Sequence, residues 1–271
     1  MRSVAICIPT RNDQNEPGKI HFPLVSLAMQ TYQDFTVYIR DEGLRDIFTD
    51  RNLRLILNLL DQKNIPVHYI RTLERRGAAF ARRSLFESIQ DEPFVLWLDD
   101  DMIIEPDVLQ LLTSEIQTDP KIGFVQGVKK ELDPFRKYNN DINLLNGEKN
   151  LHEKIKIYFG DTAILLMRSE ALRTIDWDLV TRYQLDGLTG EDVTISLLVA
   201  QNWNGTGLNF ARGWHVSPSI QRWNWEAHSD ALQVELLNGQ VDPAILRAAL
   251  PHLTDFIPDA EDTSNIKNIS D

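Results

Sequence analysis

The residues from Phe94 to Pro106 read FVLWLDDDMIIEP, an apolar run that stops at three adjacent aspartates, Asp99, Asp100 and Asp101. A short apolar run bounded in this way predicts a buried strand. Three neighbouring carboxylates repel one another unless a cation lies among them, and Mg²⁺ and Mn²⁺ prefer such oxygen ligands. Open α/β sheets bind ligands just outside the carboxyl ends of their strands. The stretch therefore predicts a ligand site with a metal ion; the alternative is a solvated acidic turn before a helix that begins near Pro106.

On both sides of this stretch, short apolar strands alternate with amphipathic helices. We predict strands at Val4–Ile8, Phe35–Ile39, Val67–Ile70, Phe94–Leu98 and Ile122–Gln126. The predicted helices are Phe22–Gln30, Asp50–Gln62, Arg76–Gln90 and Pro106–Gln117. This alternation indicates βαβ units and a mostly parallel sheet, with Pro9 ending the first strand. Polar residues follow each of the first four strands, which is typical of a nucleotide site.

The second half of the chain is less regular. Residues Lys129 to Asn150 are polar and rich in turn formers, which predicts a loop. Further elements are expected as strands at Asp161–Met167 and Leu208–Val216, helices at Ser169–Leu172 and within Gly187–Ala200, and amphipathic stretches at Ala231–Leu237 and Pro243–Leu250. The expected fold class is α/β, a Rossmann-like α/β/α sandwich. We expect one domain over residues 1–228, with halves at 1–128 and 129–228, and a C-terminal helical extension with an acidic tail over 229–271.

The composition limits the classes of function. The net charge of −12 argues against nucleic acid as the main partner and against a general attraction to anionic membranes. The single cysteine, Cys7, lies in an apolar strand-like run and is expected to be a buried core residue. No apolar run is long enough to cross a bilayer, and the sequence opens into a strand without a signal-peptide pattern. We therefore expect a soluble cytoplasmic protein.

Five segments, in this order along the chain, resemble the inverting nucleotide-sugar glycosyltransferases of family 2, which have the GT-A fold. They are VAICIPTRND from Val4, DEG from Asp41, RGAAFARRS from Arg76, LDDDMIIEPDVL from Leu98 and GEDVTISL from Gly190. The resemblance covers roughly the first three quarters of the chain. It implies a metal-dependent hexosyl- or related transferase that uses Mn²⁺ or Mg²⁺ and a nucleotide-sugar donor, a UDP-sugar, in a role such as polysaccharide biosynthesis.

The resemblance assigns the chemistry to two acidic motifs and one histidine. Asp99 and Asp101 match the family's D-x-D motif, so Asp101 would ligate the metal on the diphosphate and Asp99 would lie near the ribose or the metal. A dication there stabilises the charge on a departing diphosphate. Asp192 would be the base that takes the proton of the acceptor hydroxyl, with Glu191 helping to bind the acceptor. His215 would be a further metal ligand. The alternatives are a helix cap and a structural histidine.

The other matched residues would line the nucleotide pocket. They are Thr10, Arg11, Asp41, Glu42, Gly77, Arg82, Asp99 and Asp100. Glu42 replaces the second aspartate of the family's D-D-G motif, and Arg83 replaces an asparagine, so the usual contacts of both positions stay open. Gly77 would let the helix approach the nucleotide closely, and Arg82 would contact the nucleotide or orient Asp99. The alternatives are an ordinary polar turn and a solvated basic helix face.

The acceptor side is less specific. Gly160 and Asp161 stand where the family has a glycine-rich loop near the donor sugar. Four tryptophans cluster in this part of the chain: Trp203, Trp214, Trp223 and Trp225. They could stack on sugar rings or pack in the core, and the two interpretations are equally compatible with the sequence. Glycan, lipid-linked glycan and protein acceptors all stay open, as do peripheral membrane contact through the amphipathic tail and self-association.

Two other functions compete with glycosyl transfer. A sugar-phosphate nucleotidyltransferase would carry a glycine-rich loop after the first strand, whereas PTRNDQNEPGK has one glycine, Gly18, late in the loop. A catalytically silent binding protein for nucleotide-sugars or glycans would have no need of both acidic motifs. We therefore favour the transferase.

Overall fold

The computed structural model describes residues 2–11, 19–131, 154–185, 191–216 and 240–249. Strands and helices alternate through its first half, as the sequence predicts. The strands there are β1 (Val4–Thr10), β2 (Phe35–Asp41), β3 (Val67–Arg71), β4 (Phe94–Leu98) and β5 (Met102–Ile104). The helices are α1 (His21–Ala28), α2 (Arg51–Gln62), α3 (Ala78–Ser88) and α4 (Val108–Ile116).

The second half adds four more strands and four more helices to the described fold. The strands are β6 (Ile122–Glu131), β7 (Lys154–Ile157), β8 (Ile164–Arg168) and β9 (Asn204–His215). The helices are α5 (Ser169–Leu172), α6 (Trp177–Leu185), α7 (Glu191–Ala200) and α8 (Pro243–Ala249). None of the helices in the described ranges has the length and apolar composition that a membrane crossing requires.

All nine described strands form one sheet in the order β3-β2-β1-β4-β8-β6-β9-β5, with β7 paired to β9. The first four strands are mutually parallel, and β6 is parallel to β9. Strand β8 is antiparallel to both β4 and β6, and β5 and β7 are antiparallel to β9. Six of these strands therefore run in one direction, which confirms the mostly parallel sheet and brings their carboxyl ends to one edge.

Helices cover both faces of the sheet, so the predicted α/β/α sandwich is confirmed. One apolar cluster packs α1, α2 and α4 on the first face, and a second packs α3, α5, α6, α7 and α8 on the opposite face. Helix α2 begins one residue after the predicted Asp50, which caps it: the Asp50 carboxylate accepts hydrogen bonds from the backbone of Asn52 at 2.7 Å and of Leu53 at 3.3 Å. Cys7 is buried in the second cluster, as expected.

Two expectations about individual elements need correction. Pro9 does not end β1, which continues to Thr10. Beyond Cys7 the strand pairs only with β2 and no longer with β4, and a strand with one partner tolerates proline. The loop expected from Lys129 begins too early, because Lys129 lies in β6 and pairs with Gly213 of β9. The pairing with β9 extends β6 through its polar end.

Several elements were not predicted at all. Strands β5 and β7 have three and four residues, and α6 lies where no helix was expected. Helix α8 confirms the amphipathic stretch from Pro243, and its Leu246 and Ala249 are buried in the second cluster. The stretch Ala231–Leu237 lies outside the described residues.

Candidate active site at the carboxyl edge of the sheet

The acidic triplet forms the turn between β4 and β5. Because β5 pairs antiparallel with β9, Met102 lies opposite His215. The backbone N–H of Val216 donates to the Asp101 carbonyl at 2.9 Å. This pairing places the His215 Nε2 atom 3.0 Å from Asp101 Oδ2. The two predicted metal ligands, which are 114 residues apart in the chain, therefore meet in the fold.

The middle aspartate of the triplet faces the first strand. Thr10 is the last residue of β1, and its hydroxyl donates to the Asp100 carboxylate at 2.6 Å. Burial, together with repulsion from Asp101, raises the pKa of Asp100 to about 6. Two of the predicted nucleotide-pocket residues are thus in direct contact at the carboxyl edge.

Arg82 connects the acidic turn to the second acidic motif. Its guanidinium donates from Nη2 to Asp99 at 3.0 Å and to the Thr162 hydroxyl at 2.5 Å, and from Nη1 to Glu191 at 2.6 Å. Only 5% of the Arg82 side chain is exposed. Burial opposes its charge, but the carboxylates of Glu191 and Asp99 hold the pKa of Arg82 above its usual value. Arg82 thus lies beside Asp99, as one of the two sequence interpretations has it.

Glu191 and Asp192 are the first two residues of α7. Asp192 accepts a hydrogen bond from the adjacent Val193 N–H at 2.8 Å. Burial, with repulsion from Glu191 and Asp161, raises the pKa of Asp192 to about 7. A carboxylate whose pKa lies near neutral pH is well matched to accept a proton from a hydroxyl group.

A second buried cation completes the cluster, and the sequence interpretation missed it. The Lys129 ammonium on β6 forms an ion pair with Asp161, whose other oxygen accepts from the Ala163 N–H at 2.8 Å. Burial opposes the ionisation of both groups, but their pairing lowers the pKa of Asp161 and raises that of Lys129. Lys129 was assigned to a loop. No local pattern marks it as part of a strand, because Lys129, Lys130 and Glu131 are consecutive charged residues at the end of β6.

The donor set at the triplet suits a hard dication. Burial, offset in part by Arg82 and reinforced by Asp161 and Asp101, raises the pKa of Asp99 to about 7. Such crowding of carboxylates is relieved when a cation is added. Across the described ranges, no three acidic, histidine or cysteine side chains come close enough to hold a metal ion by themselves. Asp101 and His215 nevertheless fit one, because dications on nucleotides take one or two protein ligands and complete their shell with phosphate oxygens and water.

The turn after β2, which is predicted to line the nucleotide pocket, makes hydrogen bonds within the protein. Asp41 accepts from the Gly43 N–H at 2.7 Å and from the Tyr69 hydroxyl at 2.8 Å. Glu42 accepts from the backbone N–H groups of Arg76 at 3.1 Å and Gly77 at 3.0 Å. The longer side chain of glutamate thus binds the turn before α3. Contacts of these residues with a nucleotide stay a prediction.

Gly77 has φ 89°, a backbone conformation that favours glycine. It immediately precedes α3, whose Arg82 reaches the acidic cluster. Arg11 is exposed directly after β1, and Arg83 pairs with Glu87 and Asp178 on the surface. Trp203 packs against the second apolar cluster and Trp214 is half-buried, while Trp223 and Trp225 lie outside the described residues.

Similar folds are known among glycosyltransferases. One is the mannosyltransferase PcManGT from Pyrobaculum calidifontis in complex with GDP-Man and Mn²⁺, with TM-score 0.65 and 17% identity over 94% of this chain and 70% of that one. A second is S. aureus TarS 1-349 in complex with UDP-GlcNAc, with TM-score 0.65 and 16% identity over 98% and 76%. A third is GalNAc-T7 with UDP, GalNAc and Mn²⁺, with TM-score 0.61 and 14% identity over 87% and 47%. At these identities the likeness establishes the shared GT-A fold.

Sequence comparison gives the family. No characterised protein matches the chain by sequence. The model of the family described as "Glycosyl transferase family 2" matches residues 5–176, well over half of the chain, and that segment contains the acidic triplet, Arg82 and Asp161. The chain belongs to glycosyl transferase family 2.

Proposed function

We propose that this protein transfers a sugar from a nucleotide-sugar, specifically a UDP-sugar, to a hydroxyl group of its acceptor, with the help of a dication and with inversion of the anomeric centre. The observation that carries the proposal is the position of Arg82 between Asp99 and Glu191. This one side chain joins the acidic turn, which fits the donor, to the helix start that carries Asp192. A donor and an acceptor bound at these two places would be neighbours.

On the donor side, Asp101 and His215 would hold the dication, with Asp99 beside them. When bound, Mn²⁺ or Mg²⁺ offsets the negative charge that develops on the departing nucleoside diphosphate. Support comes from the oxygen and imidazole donor set of the pair. The similar structures of PcManGT and GalNAc-T7 contain Mn²⁺, and those of TarS and GalNAc-T7 contain uridine nucleotides.

On the acceptor side, Asp192 would be the general base. The acceptor hydroxyl gives its proton to the Asp192 carboxylate while its oxygen bonds to the anomeric carbon. The bond from that carbon to the diphosphate oxygen breaks in the same step, and the nucleoside diphosphate leaves with the bonding electrons. Glu191 would help to bind the acceptor, and because it accepts from Arg82 it would also fix the start of α7 and the orientation of its neighbour. A single displacement of this kind inverts the anomeric configuration.

Binding calorimetry with a panel of UDP- and GDP-sugars, with and without Mn²⁺, tests the donor site. We expect Mn²⁺-dependent binding of one UDP-sugar, and its loss in Asp101→Asn and in His215→Ala. Asp107→Asn is a matched control, because Asp107 is exposed and lies in the same acidic stretch. A folded protein that binds none of the panel would refute the proposal.

The catalytic part is tested by nucleoside diphosphate release in the presence of candidate acceptors. Asp192→Asn should bind the donor as the wild type does and turn over about 10²–10⁴-fold more slowly. Wild-type turnover in this variant would show that Asp192 is not the base. Pyrophosphate release from a nucleoside triphosphate would instead indicate a nucleotidyltransferase, and tight donor binding without turnover on any acceptor would indicate a silent binding protein. Product NMR would decide between inversion and retention.

A further inference from the structure

Two neighbouring loops at the carboxyl edge expose large apolar side chains beside arginines. They follow β2 and β3, whose last residues Asp41 and Arg71 are paired in the sheet. The loops also touch directly, since the Arg71 guanidinium donates to the Leu44 carbonyl at 3.2 Å. We call this surface the leucine–arginine rim, which consists of Leu44, Arg45, Phe48, Arg71, Leu73, Arg75 and Arg76.

The apolar side chains of the rim are exposed to solvent. Leu73 is 71% exposed, Leu44 61% and Phe48 39%. Phe48 is held in place by an edge-on contact with the Tyr69 ring, with centroids 4.6 Å apart. A leucine that stays exposed removes little apolar area from water and so adds little to the free energy of folding. Clusters of exposed apolar side chains mark interaction sites.

The charge of the rim is opposite to that of the whole protein. Residues 44–48 and 71–76 contain four arginines against two acidic residues, Asp46 and Glu74, whereas the chain carries −12. All four arginines are exposed. Asp46 is half-buried and accepts hydrogen bonds from the Phe48 N–H and the Tyr69 hydroxyl. Glu74 is exposed and lies 3.8 Å from the Arg76 guanidinium, so four exposed arginines stand against one exposed carboxylate. The outward face of the rim therefore carries a net positive charge beside its apolar side chains, which complements a surface that is anionic and apolar.

We propose that the leucine–arginine rim docks this protein onto an anionic lipid bilayer, with Leu44 and Leu73 inserted among the headgroups and the arginines on lipid phosphates. Apolar tips flanked by basic residues are the composition of interfacial membrane anchors. A second copy of the chain is a poorer occupant. A two-fold contact through the rim would set four arginines against four of the same charge.

Docking through the rim would place the candidate active site next to the bilayer. The Glu42 N–H donates to the Thr10 carbonyl at 3.0 Å, and Thr10 bonds to Asp100, so the rim and the acidic turn share one edge of the sheet. The mouth of the site would open beside the bilayer. An acceptor tethered to the membrane is then the favoured class, a consequence that rests on the proposed function, whereas the docking itself does not.

Vesicle sedimentation tests the docking. We expect the protein to bind vesicles of phosphatidylcholine mixed with phosphatidylglycerol, to bind phosphatidylcholine alone at least about tenfold more weakly, and to be released by salt. Leu44→Ser/Leu73→Ser and Arg45→Gln/Arg75→Gln should each reduce vesicle affinity at least about tenfold. The control is Leu55→Ser/Leu59→Ser, because these α2 leucines are 60% and 38% exposed and lie outside the rim.

Absence of vesicle binding, or equal losses in the control and rim variants, would overturn the proposal. So would a concentration-dependent dimer that the Leu44→Ser/Leu73→Ser variant abolishes, since a second copy would then cover the rim. Donor calorimetry on the same variants separates this proposal from the proposed function. We expect unchanged donor affinity in both rim variants, and a loss of donor affinity without vesicle binding would assign the rim to the nucleotide instead.

Discussion

The Arg82 guanidinium lies 2.6 Å from the Glu191 carboxylate and 3.0 Å from that of Asp99. Asp99 lies in the turn after β4 and Glu191 is the first residue of α7, and the cation between them is almost fully buried. Removing either carboxylate would leave the other to balance the charge, whereas removing the cation would leave two half-buried carboxylates without their counter-charge. The cluster is therefore more sensitive to loss of Arg82 than to loss of either acid.

Arg82→Met should lower the free energy of unfolding by about 2–4 kcal/mol, because it leaves two half-buried carboxylates without their counter-charge. The matched control is the neighbouring Arg83→Met. Arg83 forms its ion pairs with Glu87 and Asp178 at the surface, where such pairs contribute below about 1 kcal/mol. Urea denaturation measures both. Equal losses in the two variants would contradict the central role of Arg82.

Asp192→Asn should stabilise the protein at alkaline pH. A carboxyl group whose pKa rises from 3.8 to about 7 on folding costs stability as the pH increases through that interval, because the unfolded chain releases the proton first. The amide carries no charge, so the variant should gain about 1–3 kcal/mol at about pH 8. The gain should shrink as the pH falls through 7 and vanish below about pH 4. Urea denaturation at several pH values measures it, with Asp107→Asn as the control that stays within about 0.5 kcal/mol.

Activity should depend on pH through the same carboxyl group. If Asp192 is the base, as proposed, it must be ionised, so kcat/KM should fall as the pH drops through about 7, the pKa of Asp192. Glu191→Gln removes the repulsion from its neighbour and should move this limb to lower pH. A limb at the same pH in both proteins would assign the titration to a different group. Vesicle binding and donor affinity need to be measured beside the profile to exclude an effect on binding.

The Lys129–Asp161 pair should show strong coupling between its partners. Lys129→Met leaves Asp161 buried without its counter-charge and should cost about 3–5 kcal/mol. Lys129→Met/Asp161→Asn removes both charges and should cost less than the single variant, so the double-mutant cycle gives a coupling of about 1–3 kcal/mol. Lys129→Met should also move the acid limb of kcat/KM to higher pH, because it removes a positive charge near Asp192. Additive effects in the cycle would contradict the pairing.

Two residues with positive φ, Gly77 before α3 and Asn64 after α2, should respond oppositely to substitution. Gly77→Ala should destabilise the protein by about 1–2 kcal/mol, because φ is 89° at this residue. Asn64→Gly should be neutral or slightly stabilising, because Asn64 already adopts φ 56° with a side chain. Thermal unfolding of the two variants provides the comparison. A similar loss in both would show that side-chain contacts, and not backbone conformation, decide the outcome.

The parallel half of the fold was predictable because its pattern is local. Each of β1 to β4 is an apolar run, and each helix between them has its own apolar stripe, so no long-range contact is needed to recognise them. For the same reason, the acidic triplet was recognised as a strand end. The position of Arg82 beside Asp99 followed only from a resemblance, and its contact with Glu191 had no signal in the sequence.

The antiparallel additions were not predictable because they depend on partners far along the chain. Three residues suffice for β5 only because β9 pairs with it. Lys129 also depends on a distant partner, although here the pairing is parallel: the polar end of β6 pairs with β9, where Lys129 lies opposite Gly213. Glu42 accepts from the backbone N–H of Gly77, which lies in a different loop. Comparison with the family motif identifies glutamate in place of aspartate at this position, but it does not show that the glutamate binds Gly77.

Strand β9 also determines when the site can form during folding. It pairs with β5, β6 and β7, and its last residue, His215, meets Asp101 only after more than a hundred intervening residues are in place. Contacts of such long sequence separation form slowly. We therefore expect the Asp101–His215 pair to be among the last features acquired on the folding pathway. A nascent or misfolded chain would then have no complete site with which to capture a scarce dication or a nucleotide-sugar.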